Sequence, residues 1–240
     1  MLVSTAKRQA TGLKQILRVL VLFFVGTMFL SLTGCDYFNS SNSNGKEGEA
    51  IWSENFENYA AGEFPTAWTP SGNADAEGNR VVASHSHSQS QAFRLKGRPG
   101  GCWAAIAYHP LQISTSEDFE ISFAVRPTTE GSEGCHGHRA RVHLKTRPEW
   151  NANGQGLLGF DTNGRLSWGS GKYDPSEWTE VRVRYQRNGD QVQLTYWLDG
   201  TRQGSRIIEE KDYESELAYV GLSSGDFTSY FDQVSVRRIE

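Results

Sequence analysis

Four basic side chains alternate along one short segment, Arg139-Ala-Arg-Val-His-Leu-Lys145. Residues two apart on a strand share a face, so Arg139, Arg141, His143 and Lys145 would present one basic surface. Arg182 and Arg184 repeat the pattern in Val181-Arg-Val-Arg-Tyr-Gln186. Arginine holds a carboxylate or sulfate through paired N–H bonds. A histidine in such a row, with an ordinary pKa near neutrality, is a candidate general base. The competing reading is a solvated sheet face whose arginines pair with Glu120 or Glu180.

Metal chemistry has thinner support. His85-Ser-His87 and His136-Gly-His138 each place two imidazoles on one side of an extended segment. With Cys102 and Cys135 they can be drawn as a Cys₂His₂ zinc site, but the spacing has no zinc-ribbon form. Among the seven tryptophans, Trp103, Trp150, Trp168 and Trp197 lie near turns or on polar faces, as does Tyr173. Flat rings there offer stacking surfaces at low entropic cost. Trp52, Trp68 and Trp178 stand beside strand starts and read as core or lid residues.

The elements that must position these groups are strands. Phe119-Glu-Ile-Ser-Phe-Ala-Val-Arg126, the 139–145 and 181–186 segments, and Val192-Gln-Leu-Thr-Tyr-Trp-Leu198 alternate apolar and polar residues. Asp161-Thr-Asn-Gly164 is a turn between Leu157-Leu-Gly-Phe160 and Arg165-Leu-Ser-Trp168. Asn188-Gly189 and Asp199-Gly200 are two-residue hairpin signals. The last strand runs Tyr230 to Arg237, and no stretch carries a long helical period. Many short strands with regular turns predict an all-β, two-sheet antiparallel sandwich over residues 51–240.

The first 34 residues are of another kind. They hold Lys7, Arg8, Lys14 and Arg18, no acidic residue, and an apolar run from Val19 to Leu30. That is a secretory signal pattern, with a run shorter than the ~20 residues of a membrane span. Leu32-Thr33-Gly34-Cys35 resembles the bacterial lipobox. The resemblance implies cleavage before Cys35, acylation of that cysteine, and anchoring to a membrane of the cell envelope. Residues 35–50, rich in Ser, Asn and Gly, then read as a lipid-anchored tether. Four of the 24 basic residues and none of the 28 acidic ones precede Cys35, so the remainder carries a net −8. An acidic chain is a poor partner for nucleic acid. An exported compartment permits a Cys102–Cys135 disulfide, worth roughly 3–4 kcal/mol in the chain-entropy account.

The ordered pieces of the 51–240 region resemble concanavalin A-like and laminin-G-like jelly rolls. They are Glu54-Asn-Phe-Glu-Asn-Tyr with Phe64-Pro-Thr-Ala-Trp68, then Gly156-Leu-Leu-Gly-Phe-Asp161, Trp178-Thr-Glu-Val-Arg-Val183 and Tyr196-Trp-Leu-Asp-Gly200. Tyr219-Val-Gly-Leu-Ser223 and Phe231-Asp-Gln-Val-Ser-Val236 resemble the closing strands. The resemblance implies a two-sheet jelly roll, and among its members are lectins, carbohydrate-binding modules, glycoside hydrolases and polysaccharide lyases. It also implies one structural calcium ion, with Glu54 or Glu57 and Asp232 as ligands. Fold does not settle function.

Three functions follow as expectations. The first is binding of a polysaccharide at the envelope through Trp103, Arg139, Arg141, His143, Trp150 and Trp197. The second is cleavage of an anionic glycan by a lyase using His143, Arg141 and Tyr196, or by a glycoside hydrolase. The third is a structural lipoprotein that binds protein. The E-x-D-x-x-E hydrolase pattern is absent, and Glu117-Asp118-Phe119-Glu120 has the wrong spacing. The lyase motifs Q-[IV]-H and Y-F-K-x-G are also absent. Binding is therefore the first expectation.

Overall fold

Hydrophobic side chains recur at every second position along the strands, and burying one face of each strand requires two sheets packed together. A computed structural model describes residues 48–72, 74, 77–98, 104–114, 116–131, 138–152, 154–168, 171–209 and 216–239. They all belong to one unit spanning Asn44–Glu240. The lipobox and Cys35, together with Cys102, Trp103, Cys135 and His136, lie outside the described residues.

One sheet has eight strands. From one edge it runs β11 (Thr201–Glu209), β10 (Gln191–Leu198), β9 (Thr179–Asn188), β6 (Phe119–Gly131), β13 (Phe227–Arg238), β4 (Ala92–Lys96) and β3 (Arg80–Val82). The eighth strand, β1 (Ala50–Glu54), also pairs with β13. The second sheet runs β2 (Thr69–Gly72), β5 (Ala105–Ser114), β12 (Glu216–Ser224), β7 (His138–Lys145) and β8 (Gly154–Asp161). Neighbouring strands are antiparallel throughout. This is the all-β two-sheet jelly roll that the alternation predicts.

One core fills the space between the sheets. The five-stranded sheet contributes Ala107, Val142, Leu144, Phe160, Val220 and Leu222, and the eight-stranded sheet Ile121, Phe123, Val183, Tyr196 and Phe231. Phe56, Trp68 and Phe93 close one end, their rings 5.3 to 5.9 Å apart. Two of the predicted turns form as read, and the third is displaced by one residue, with Asn188 paired to Gln191 at the end of β9 and Gly189-Asp190 making the turn. Asp161 Oδ1 accepts N–H bonds from Asn163 and Arg165, and Asp199 and Gly200 both take positive φ. Beyond that turn, Arg165 to Trp168 is no full strand. It adds isolated bridges, Phe160 to Leu166 and Arg165 to Lys172.

Candidate functional site

The basic row belongs to β7. Its Ala140, Val142 and Leu144 enter the core, which turns Arg141, His143 and Lys145 to the outer face of the five-stranded sheet. Across β12 they stand in register with Ser223, Gly221 and Tyr219. One strand further, on β5, the same rungs carry Ile106, Tyr108 and Pro110. Gly221 makes the middle rung possible. A Cβ there would meet the Tyr108 ring at 2.5 Å and His143 Cβ at 3.4 Å. The tyrosine ring therefore lies over the glycine, beside the histidine.

On the other side, β8 is bulged. Val142 pairs with Leu158 but His143 pairs with Gly156, so Leu157 is the extra residue. The bulge lets Leu157 and Leu158 both enter the core, which simple alternation forbids. It also leaves Gly156 and Gly159 both facing outward. Cβ atoms on these glycines would meet the Arg141 side chain at 3.3 and 3.2 Å. Arg141 thus lies along a floor of two glycines.

The chemistry of the row differs from residue to residue. His143 is buried, with Nε2 2.8 Å from Ser223 Oγ. Burial holds its pKa well below the ordinary histidine value, and the charges of Arg141, His138 and Lys145 push the same way. Burial thus favours the neutral imidazole. Lys145 Nζ donates to the carbonyls of Trp150 (3.2 Å) and Ala152 (2.8 Å), closing the 146–152 turn. That turn brings the exposed Trp150 ring edge-on to His143, centroids 6.0 Å apart. Arg139 is spent internally. It donates to the Thr128 and Thr162 carbonyls at 2.8 and 3.0 Å and lies over the Phe227 ring. Arg141 is half-buried, and among the described residues its guanidinium has no hydrogen-bond or ion-pair partner. Burial lowers its pKa, yet a guanidinium stays charged. The Tyr108 hydroxyl is buried without a partner among the described residues, and burial pushes its pKa up to about 12.

The other expected site residues lie elsewhere. Arg182, Arg184 and Trp197 belong to β9 and β10, on the outer face of the eight-stranded sheet. The core separates them from Arg141 and His143, so the two basic rows do not share a face. Arg184 Nη2 pairs with Glu120 at 3.1 Å, and Arg182 and Arg184 cover the Trp197 ring at 4.3 and 5.4 Å. Here the solvated, paired reading holds. Tyr196 points into the core from β10, and the tyrosine beside His143 is Tyr108. Tyr173 is also a core residue, its hydroxyl donating to the Asp161 carbonyl.

The three carboxylates expected to hold calcium face donors instead. Glu54 accepts from the Phe56 N–H and the Tyr59 hydroxyl, both at 2.8 Å. Glu57 accepts from the Ser90 and Gln91 N–H groups at 3.0 and 2.8 Å, and Asp232 from His87 N–H at 3.0 Å. As arranged, each of the three carboxylates accepts from N–H or O–H donors. Among the described residues, no group of three or more His, Cys, Asp or Glu is arranged to hold a metal. His85 stacks on Tyr230 at 4.4 Å, and His87 lies against Gln233, Glu180 and Trp178.

Tyr108, Ser223 and the three glycines were not singled out from sequence. The available signal was isolated glycine inside strand patterns, which marks a bulge or close approach.

No protein-family profile matches the chain, and no curated protein matches it. Solved structures do. An endo-1,3-β-glucanase from Streptomyces sioyaensis aligns with TM-score 0.54 at 9% identity, covering 84% of this chain and 100% of that one. A xylan-binding domain from Paenibacillus barcinonensis aligns at 0.44 with 15% identity, over 81% and 97%. Lectin II from Ulex europaeus aligns at 0.48 with 13% identity, over 80% and 100%. At 9% identity the likeness to the glucanase is one of fold, the two-sheet jelly roll described above.

Proposed function

We propose that this protein binds an anionic glycan on the outer face of the five-stranded sheet, and that it does so as a lipoprotein anchored in the cell envelope through Cys35. The observation that carries the binding reading is Arg141. A half-buried guanidinium with no hydrogen-bond or ion-pair partner among the described residues has lost water without a return from them. An arriving anion supplies the missing charge-assisted bonds, each worth about 1.5–3 kcal/mol. Around it stand Trp150 as an exposed flat ring and Tyr219 as a half-exposed one. His143 and Tyr108 form the floor. Beside them on the β5 side, Ala104 and Ile106 are apolar but buried, at 6% and 1% exposure, so the flat surface open to a sugar face is the Trp150 ring, 46% exposed.

The test is retention of the full chain on immobilised neutral and acidic polysaccharides, with Arg141→Ala alongside. We expect retention by an acidic polymer, weakened at least tenfold in the variant (about 1.4 kcal/mol). Retention by none of the polymers would overturn the glycan reading and favour a protein partner. For the anchor, Cys35→Ser is expected to move the protein from the membrane fraction to the soluble one. An unchanged distribution would remove it.

One observation favours a second reading, cleavage by β-elimination. The Tyr108 ring, whose hydroxyl has no partner among the described residues, and the buried His143 imidazole flank Gly221, with Arg141 beside them to neutralise an acidic group. Both Tyr108 and His143 are shielded, which places binding first. An unsaturated product, seen by ultraviolet absorbance and lost in His143→Ala, would reverse that order.

A further inference from the structure

We infer that the anion taken here is a single carboxylate, and that the ligand is a uronate-bearing oligosaccharide segment of at least two sugars. This rests on the glycan reading above and adds the ligand's charge, its shape and its least length.

The charge follows from which cations are free. Strand β7 carries Arg139, Arg141 and Lys145, with His138 before them and His143 between Arg141 and Lys145. Arg139 is held by two carbonyls and Lys145 by two more. His143 is neutral. Of the three permanent cations on the strand, Arg141 alone has a charged group with no hydrogen-bond or ion-pair partner among the described residues. A sulfate ester presents three outward oxygens and a phosphate monoester carries more than one charge. A single planar fork leaves part of either unsatisfied. A carboxylate has two oxygens in one plane, which one fork matches bidentately. The acidic balance of the chain, net −4 over all residues, adds a general repulsion against densely charged polymers.

The shape follows from the floor. Gly156 and Gly159 let the Arg141 side chain lie flat along β8. Its stem and Nε therefore run along the sheet surface, where a ligand lying on the face reaches them.

The least length follows from spacing along β7. Arg141 and His143 are two residues apart, a rise of about 6.6 Å on a strand. The Trp150 ring lies 6.0 Å from the His143 ring. A carboxylate on Arg141 and a sugar face on Trp150 thus belong to different rings of one chain. A monosaccharide reaches one or the other.

The experiment varies the ligand, so no variant has to fold. The purified full chain is titrated calorimetrically with polygalacturonate and with polymannuronate. It is then titrated with each polymer after reduction of its carboxyls to alcohols, with dextran sulfate, and with free galacturonate. The expected result is binding of at least one uronate polymer, weakened at least tenfold by carboxyl reduction, with dextran sulfate and the monomer weaker by the same factor or more. Equal binding of native and reduced polymer overturns the carboxylate. Tighter binding of dextran sulfate overturns the single-anion site, and equal molar affinity for galacturonate overturns the length. Binding of the sulfated polymer alone sinks this inference while sparing the anionic-glycan reading, and binding of the neutral, reduced polymers alone sinks both. Binding of nothing sinks both.

Discussion

At Gly221 one missing Cβ decides the middle of the candidate site. The Tyr108 ring occupies the space that any side chain would claim, and His143 stands on the far side. The backbone of Gly221 has no need of left-handed φ, so the constraint is one of contact alone. Gly221→Ala would force the ring or the β12 backbone to shift in a packed region, an overpacking cost of about 1–3 kcal/mol. The variant is expected to lose that much stability in chemical denaturation and to weaken acidic-glycan binding. A loss under about 0.5 kcal/mol would mean that the ring moves aside freely, as at an ordinary surface position. Arg141 shows the same logic in reverse. Its floor of Gly156 and Gly159 provides room to lie flat, and nothing among the described residues answers its charge.

The segment between β3 and β4 shows how elements are held by single carboxylates. Residues 84–91 form no strand, and two acidic side chains fasten their backbone. Glu57 takes the Ser90 and Gln91 N–H groups, and Asp232 takes that of His87. Asp232 stands at a bulge of β13, where Gln233 adopts φ 50° and bonds back to Asp232 Oδ1 at 2.7 Å. Asp232→Ala is expected to speed amide exchange at His87 while leaving β6 and β13 protected, because the bonds lost are local. Asp232→Asn, which keeps an acceptor, should preserve much of the protection. Uniform acceleration across both sheets would show Asp232 to be a core residue instead. This anchoring was illegible in the sequence, where the same carboxylates read as a metal set. By contrast, β6, β7, β9, β10 and β13 were legible, since one face is apolar and the other polar along each. Strand β2, Thr-Pro-Ser-Gly, carries no such contrast. Strand β5 is apolar on both faces, so Tyr108 gave no sign of facing outward. Period two tells which side of a strand a residue takes and is silent on which sheet the strand joins. That is why Tyr196 and Trp197 were grouped with Arg141 and His143.

For the molecule as a whole, burying a neutral histidine under a basic row makes stability depend on pH. The native state keeps His143 unprotonated well below the ordinary pKa of 6.5. The unfolded chain binds that proton at about the ordinary value, so between the two pKa values it holds more protons than the native state. Acidification in that window favours unfolding, by about 1.4 kcal/mol per pH unit while the difference is one full proton. Above the unfolded value both states are neutral and His143 imposes no slope. His109, stacked 4.2 Å from Trp52, is lowered by burial and acts in the same direction. Asp232 acts in the opposite one. Burial raises its pKa above 3.8, so just above 3.8 the native state holds a proton that the unfolded chain has released. Acidification through that narrower window favours folding. The expected curve is level near neutrality, falls as pH drops below 6.5, and flattens toward 4. His143→Gln keeps a polar side chain and removes the titration. It should be less stable at neutral pH yet lose less on acidification, as read from urea midpoints between pH 7 and pH 4.5. If wild type and variant lose stability in parallel across that range, His143 takes up its proton in the native state at the ordinary value. Below pH 6.5 the anion on Arg141 would then have two cations to meet, and the single-carboxylate argument would fail there.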